Sequence, residues 1–120
     1  MKIISRDQVP SFITKDGSEI RELLAYRNSV IQKQSLAEAT VPAGMVTQFH
    51  YHPVTEEIYF ILEGTGEVRL GDQWHTVKPG DSIPISPGTP HQIRASSTEE
   101  LRFLCCCVPA YEHSDTVLLE

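Results

Sequence analysis

Three of the five histidines, His50, His52 and His91, stand with Glu57 in a pattern that suits one metal ion. At the two-residue period of an extended strand, His50 and His52 point to the same face, roughly 6–7 Å apart along the chain. Pro53-Val54-Thr55 then breaks the strand, and Glu57 on the returning strand brings a carboxylate back to the same side. His91 opens a later strand, directly after the turn Pro87-Gly88-Thr89-Pro90. Laid beside the first pair, its imidazole closes the set. Three neutral nitrogens and one carboxylate suit a divalent transition-metal ion of the Fe, Mn, Ni, Cu or Zn group. Such ions commonly take six ligands, so about two positions stay open for water, dioxygen or a substrate. Glu56 competes with Glu57, but Glu57 shares the phase of Tyr59. Gln48, two residues before His50, and Tyr59, two after Glu57, are expected on the inward face, where each could orient a ligand or touch a substrate. His75 and His113 match no ligand spacing and read as surface residues.

The elements that must position these side chains are short strands. Seven Gly and eight Pro are scattered between apolar or alternating runs, the pattern of a sandwich or barrel. Strands are expected within Ser29–Val41, over Met45–His52, Glu56–Glu63, Glu67–Leu70, Trp74–Val77, Ser82–Ile85 and His91–Ala95, and over Leu101–Val108. Gly71-Asp72-Gln73 reads as a hairpin turn, with Trp74 as hairpin packing. Residues 1–28 read as a strand or irregular segment packing on the barrel, 29–110 as the barrel and 111–120 as a tail. Glu57, Tyr59 and Ile61 face one side of their strand, while Ile58, Phe60 and Leu62 make the other side apolar as well. A strand with one wet face alternates with polar residues, so something must cover the outer row. The N-terminal segment, a second sheet or a partner subunit would do it, and a homodimer is the working expectation. Arg94 is out of phase with His91, and the phase of Arg102 stays open.

The totals narrow the function. A chain of 120 residues fits one domain. A hydrophobic share of 40% and a charged share of 22% are those of a globular protein with a real core. The net charge of −6, without a Lys/Arg cluster, argues against nucleic acid as a partner. No apolar run is long enough to span a bilayer. Met1-Lys2-Ile3-Ile4-Ser5-Arg6-Asp7 reaches charge too early for a secretion signal, so a cytoplasmic location is expected. Cys105-Cys106-Cys107 is a poor disulfide framework, since strand neighbours point to opposite faces. The three thiols read as small apolar residues of a buried strand.

The spacings also resemble a family. Gly44, His50, His52, Glu57 and Gly64 match the first cupin motif, and Gly80, Pro87-Gly88 and His91 match the second. Ser86 and Ala95 depart from it, at turn and strand-end positions rather than at metal donors. The resemblance covers Gly44–Ala95. It implies an all-β fold, a double-stranded β-helix or jelly-roll barrel, with a metal inside its mouth on His50, His52, Glu57 and His91. The spacing to Gly64 again favours Glu57 over Glu56. It further implies a small-molecule ligand or substrate. Three functions stay open: an oxidoreductase of dioxygenase type, a metal-dependent sugar or keto-acid isomerase or lyase, and a non-catalytic binding module. Fold alone does not choose among them.

Overall fold

A computed structural model describes residues 2–119. Its strands are β1 (Phe12–Ile13), β2 (Glu19–Leu24), β3 (Ser35–Val41), β4 (His50–Tyr51), β5 (Glu56–Glu63), β6 (Gly66–Leu70), β7 (Gln73–Val77), β8 (Ser82–Ile85), β9 (His91–Ala95), β10 (Leu101–Val108) and β11 (Val117–Leu118). Two single-turn 3₁₀ segments, Arg6–Gln8 and His113–Asp115, complete the elements. Met1 and Glu120, the ends of the expected N-terminal segment and tail, lie outside the described residues.

The strands form two antiparallel sheets, β1-β2-β3-β10-β5-β8 and β11-β4-β9-β6-β7. They face each other as an all-β jelly-roll barrel. Alternation decides which side chains enter it. On β5, Glu57, Tyr59 and Ile61 are buried while Ile58 and Phe60 are exposed; on β10, Leu101, Phe103, Cys105 and Cys107 are buried. The apolar core lies between the sheets, where Ile61, Phe103, Leu101, Val68 and Ile93 are almost completely enclosed. It adjoins the histidines, since Phe103 lines the same pocket as His50 and His52.

Two expected strands come out shorter. Between Ala25 and Gln34 the chain turns, with Asn28 Oδ1 accepting from the Ala25 N–H, so only Ser35–Val41 is a strand. Over Met45–His52 only His50–Tyr51 is a strand. The cause is Thr47. Its amide donates to the Ile93 carbonyl, and its hydroxyl accepts the Ile93 N–H that a backbone carbonyl would otherwise take. This substitution interrupts the ladder and resets the phase. Thr47 and His50 are both buried, three positions apart, and Gln48 is turned outward.

Gly64 and Gly66 make the tight turn after β5. Gly64 has φ +83°, in the left-handed region that glycine alone adopts cheaply. A Cβ on Gly66 would lie 2.1 Å from the Arg94 carbonyl oxygen, so β6 and β9 meet there backbone to backbone.

Candidate metal centre

Each histidine is placed by a different local device. His50 and His91 are directly opposite each other on β4 and β9, with ring centroids 4.2 Å apart. His52 follows β4, and its carbonyl accepts from the Gly88 N–H, which ties it to the turn that delivers His91. Glu57 arrives from the opposing sheet on β5. The site therefore bridges both sheets at the open end of the barrel.

Backbone carbonyls set the tautomers. Nδ1 of His50 lies 2.7 Å from the Gln48 carbonyl, Nδ1 of His52 lies 3.0 Å from that of Asp115, and Nδ1 of His91 lies 2.9 Å from that of Thr89. A carbonyl only accepts, so each Nδ1 carries the proton. In the neutral ring each Nε2 then presents a lone pair. Such fixation of the ring by its other nitrogen is what metal-binding histidines use.

The three imidazoles offer nitrogens that all lie within 4.8 Å of one another. Glu57 Oε1 lies 3.5 Å from His52 Nε2 and 3.3 Å from His91 Nε2. Glu57 Oε1 and His91 Nε2 are fully buried and have no hydrogen-bond partner. Buried polar atoms are costly when orphaned, and acceptors that face each other across 3.3 Å repel unless a cation lies between them. The donor set therefore fits a divalent transition-metal ion in chemistry and in direction.

The electrostatics agree. Burial pushes the Glu57 carboxyl up, but positive charge on the facing His52 and His91 rings, in the place a metal ion would take, more than reverses this and holds it below the usual carboxylate range. Burial pulls the His52 imidazole down, and Glu57 outweighs it, leaving a net rise. His50 moves the other way, through burial first and the neighbouring His91 second. A buried anion thus makes the centre attractive to a positive charge.

Of the remaining expected residues, Tyr59 is buried and faces the pocket, its ring centroid 5.9 Å from that of His91. Gln48 does not share that face. Its side chain is exposed, and its part in the site is its backbone carbonyl on His50. The Thr47 phase reset explains this correction. Glu56 is exposed, as are His75, His113 and Arg94; Arg94 stacks on Trp74 at 4.4 Å. Besides Asp115, three further residues escaped the sequence reading. Asp16 Oδ2 lies 3.7 Å from His50 Nε2, Cys107 Sγ lies 3.4 Å from Glu57 Oε2, and Tyr111 packs edge-on to His52 at 5.9 Å. Asp16 and Tyr111 lie outside the motifs, and no spacing relates them to the histidines.

A jelly-roll barrel with buried histidines and a carboxylate converging at its mouth defines the class: a small β-barrel protein built around a candidate metal centre. The family model of the cupin domain matches residues 37–107, and the chain belongs to the cupin family. An uncharacterized protein of Methanocaldococcus jannaschii is 50% identical over 122 residues, covering 100% of this chain and 98% of its own. Protein SchB of Streptomyces halstedii is 28% identical over 103 residues, covering 86% of this chain and 74% of its own. Among solved structures, the polyketide cyclase RemF of Streptomyces resistomycificus superposes with a TM-score of 0.85 at 25% identity, over 100% of this chain and 86% of that one.

Proposed function

We propose that the chain is an enzyme that holds one divalent transition-metal ion on His50, His52, His91 and Glu57 and uses it in non-oxidative lyase or isomerase chemistry on a small molecule. The observation that carries the metal is the pair of orphaned atoms, Glu57 Oε1 and His91 Nε2, inside the histidine cluster. When bound, the ion supplies a Lewis acid that polarises an oxygen of the substrate.

The protein's own groups supply the rest. Tyr111 lines the pocket, and its hydroxyl meets Nδ1 of the exposed His113 at 3.2 Å. Burial pushes the Tyr111 phenol up to about 12, so it carries its proton at neutral pH. Tyr111 Oη is thus placed to give a proton to a leaving oxygen, and His113 to replace it from solvent. Tyr59, Phe103 and the inward residues of β3 exclude water from the inner wall. The structural neighbour RemF is named a polyketide cyclase, and that name supports a reading in which the chain rearranges bonds of a small molecule.

A second reading is an oxidoreductase of dioxygenase type. The apolar inner wall of Tyr59, Phe103 and Cys105 favours it, because dioxygen partitions into such surroundings. An oxygen electrode and elemental analysis separate the two. Protein loaded with iron, manganese, nickel, copper or zinc in turn should retain about one ion per chain and convert a carbonyl or hydroxy substrate with no oxygen uptake. Oxygen consumed in step with product would establish the second reading, and a preparation that retains no ion would remove both.

The homodimer also belongs here as a proposal. Ile58 and Phe60 on the outer face of β5 are 47% and 39% exposed, although Arg6 of the N-terminal segment covers Glu38 nearby on the same sheet. A second copy on this face would cover them. Light scattering at micromolar concentration should give a dimer, and Phe60→Glu should give a monomer. A cytoplasmic location is consistent with the absence, among the described residues, of a helix long and apolar enough to cross a membrane.

A further inference from the structure

The turn between β1 and β2 presents a carboxylate to the pocket in an unusual state of constraint. Asp16 Oδ1 accepts from the Thr14 hydroxyl at 2.7 Å, the Ser18 amide at 3.0 Å and the Ser18 hydroxyl at 2.7 Å. The Asp16 carbonyl accepts from the Gln48 amide at 2.8 Å, which locks the turn to the chain leading into His50. One carboxylate oxygen is thereby fully engaged. The other, Oδ2, points to His50 Nε2 at 3.7 Å. The His50 Nδ1 proton is committed to the Gln48 carbonyl, so Nε2 of the neutral ring offers no proton. Oδ2 has no hydrogen-bond donor among the described residues, and the Asp16 side chain is only 14% exposed.

The pocket around it has one sign. Among the described residues its lining includes Asp16, Glu22 and Glu57 but no lysine or arginine. The Glu22 carboxylate is engaged by Arg27 at 3.0 Å, so Asp16 is the wall carboxylate left to meet a ligand. The remaining wall is apolar, from Phe12, Ile20, Ala37 and Phe103. The floor beneath it is the metal centre itself, where the buried Glu57 Oε1 and His91 Nε2 face the ion.

We infer that Asp16 is a recognition subsite for a hydrogen-bond donor, an ammonium or hydroxyl group, on a neutral or cationic substrate whose oxygen meets the metal. This rests on the metal-centred reading above and adds the substrate class. An anionic substrate such as a carboxylate or phosphate would be drawn to the ion, but it would also face Oδ2, with no cationic side chain on the pocket wall to offset that repulsion. A hydroxyl or ammonium group would instead give a donor to an oxygen that has none among the described residues. The pre-fixed turn means that little ordering is needed when it binds.

The test uses cobalt(II)-loaded full-length chain, whose visible spectrum reports what binds at the ion. Two probes of similar size and opposite charge are titrated, 2-aminoethanol and acetate. Wild-type protein is expected to bind 2-aminoethanol more tightly than acetate. Asp16→Asn, which keeps an oxygen for Thr14 and Ser18, is expected to weaken 2-aminoethanol about tenfold or more and to tighten acetate. Asp16→Glu retains the charge and is expected to retain the preference, which keeps the comparison sharp if the amide variant folds poorly. The inference is overturned if wild-type protein prefers acetate, if Asp16→Asn and wild type bind both probes alike, or if cobalt is lost from Asp16→Asn alone. Cobalt that fails to load into wild type overturns the metal-centred reading, and the subsite with it; the stoichiometry shows this before any probe is added.

Discussion

The Cys107 thiol donates to Glu57 Oε2 at 3.4 Å, from the directly opposing position on β10. The contact occupies one oxygen of a fully buried carboxylate and leaves Oε1 to face His52 and His91. Burial, followed by the Glu57 charge, pushes the Cys107 thiol far above the usual range, so it stays protonated and donates. Cys107→Ala should therefore destabilise the metal-free protein by about 1–3 kcal/mol and weaken cobalt binding roughly tenfold. Cys107→Ser, which restores a donor, should recover most of both. Urea unfolding and a competitive metal titration measure them. An alanine variant indistinguishable from wild type in both would reduce Cys107 to packing.

His52 is held by the segment after β10. Its Nδ1 donates to the Asp115 carbonyl, and the Asp115 carboxylate accepts from the Val54 and Thr55 amides at 3.1 and 2.9 Å. His52→Ala should lower metal affinity at least about 100-fold, while the barrel still folds, because His52 is not part of the apolar core cluster. Asp115→Ala should lower it about tenfold, since it loosens only the orientation of the ring. Elemental analysis after dialysis, with far-UV circular dichroism as the check on folding, decides both. Full occupancy in His52→Ala would remove that residue from the ligand set.

The metal should also act on stability. An ion that binds the folded barrel and not the unfolded chain adds about 2.7 kcal/mol when free metal exceeds its dissociation constant 100-fold. Thermal unfolding should rise on adding cobalt and fall back with a chelator. The shift should vanish in His52→Ala, and a shift of equal size there would show binding elsewhere.

Glu38 gives a pH dependence away from the site. It is 5% exposed and accepts from Arg6 Nε at 2.9 Å and Arg102 Nη1 at 3.1 Å. The hydrogen bond from Arg6 is the strongest influence, and it holds the folded Glu38 carboxyl below its usual value despite burial. A depressed folded value stabilises the protein above the unfolded value, near 4.3, and that stability is lost as pH falls through the folded one. Glu38→Gln should thus cost about 1–2 kcal/mol at pH 7, and the difference from wild type should shrink steadily below pH 4. Urea midpoints at several pH values test it. A gap that widens on acidification would reverse the sign and refute the ion-pair account.

Gly66→Ala should destabilise by about 1–3 kcal/mol, because its Cβ would meet the Arg94 carbonyl, which the β6–β9 ladder does not let move. Gly88→Ala should cost less. Its φ of +81° is unfavourable for alanine, but no atom lies within 4 Å of the added carbon. Paired unfolding curves rank the two, and the reverse order would mean that backbone conformation outweighs the close approach.

What the sequence determined by itself was local. Period-two alternation set the inward face of β5, the turn signal Gly71-Asp72-Gln73 marked the β6–β7 hairpin, although Gln73 itself joins β7, and the spacings of His50, His52, Glu57 and His91 marked one constellation. Each depends on neighbours within a strand or across one turn, where chain geometry leaves few choices. The tertiary structure decided the rest. Thr47 trades a ladder hydrogen bond for its hydroxyl and turns Gln48 outward, which no alternation rule foresees. Asp16, Cys107 and Asp115 reach the site from segments 34, 50 and 63 residues away from His50, Glu57 and His52. Their roles exist only because two sheets fold over each other, and contacts between elements so far apart leave no period in the sequence to read.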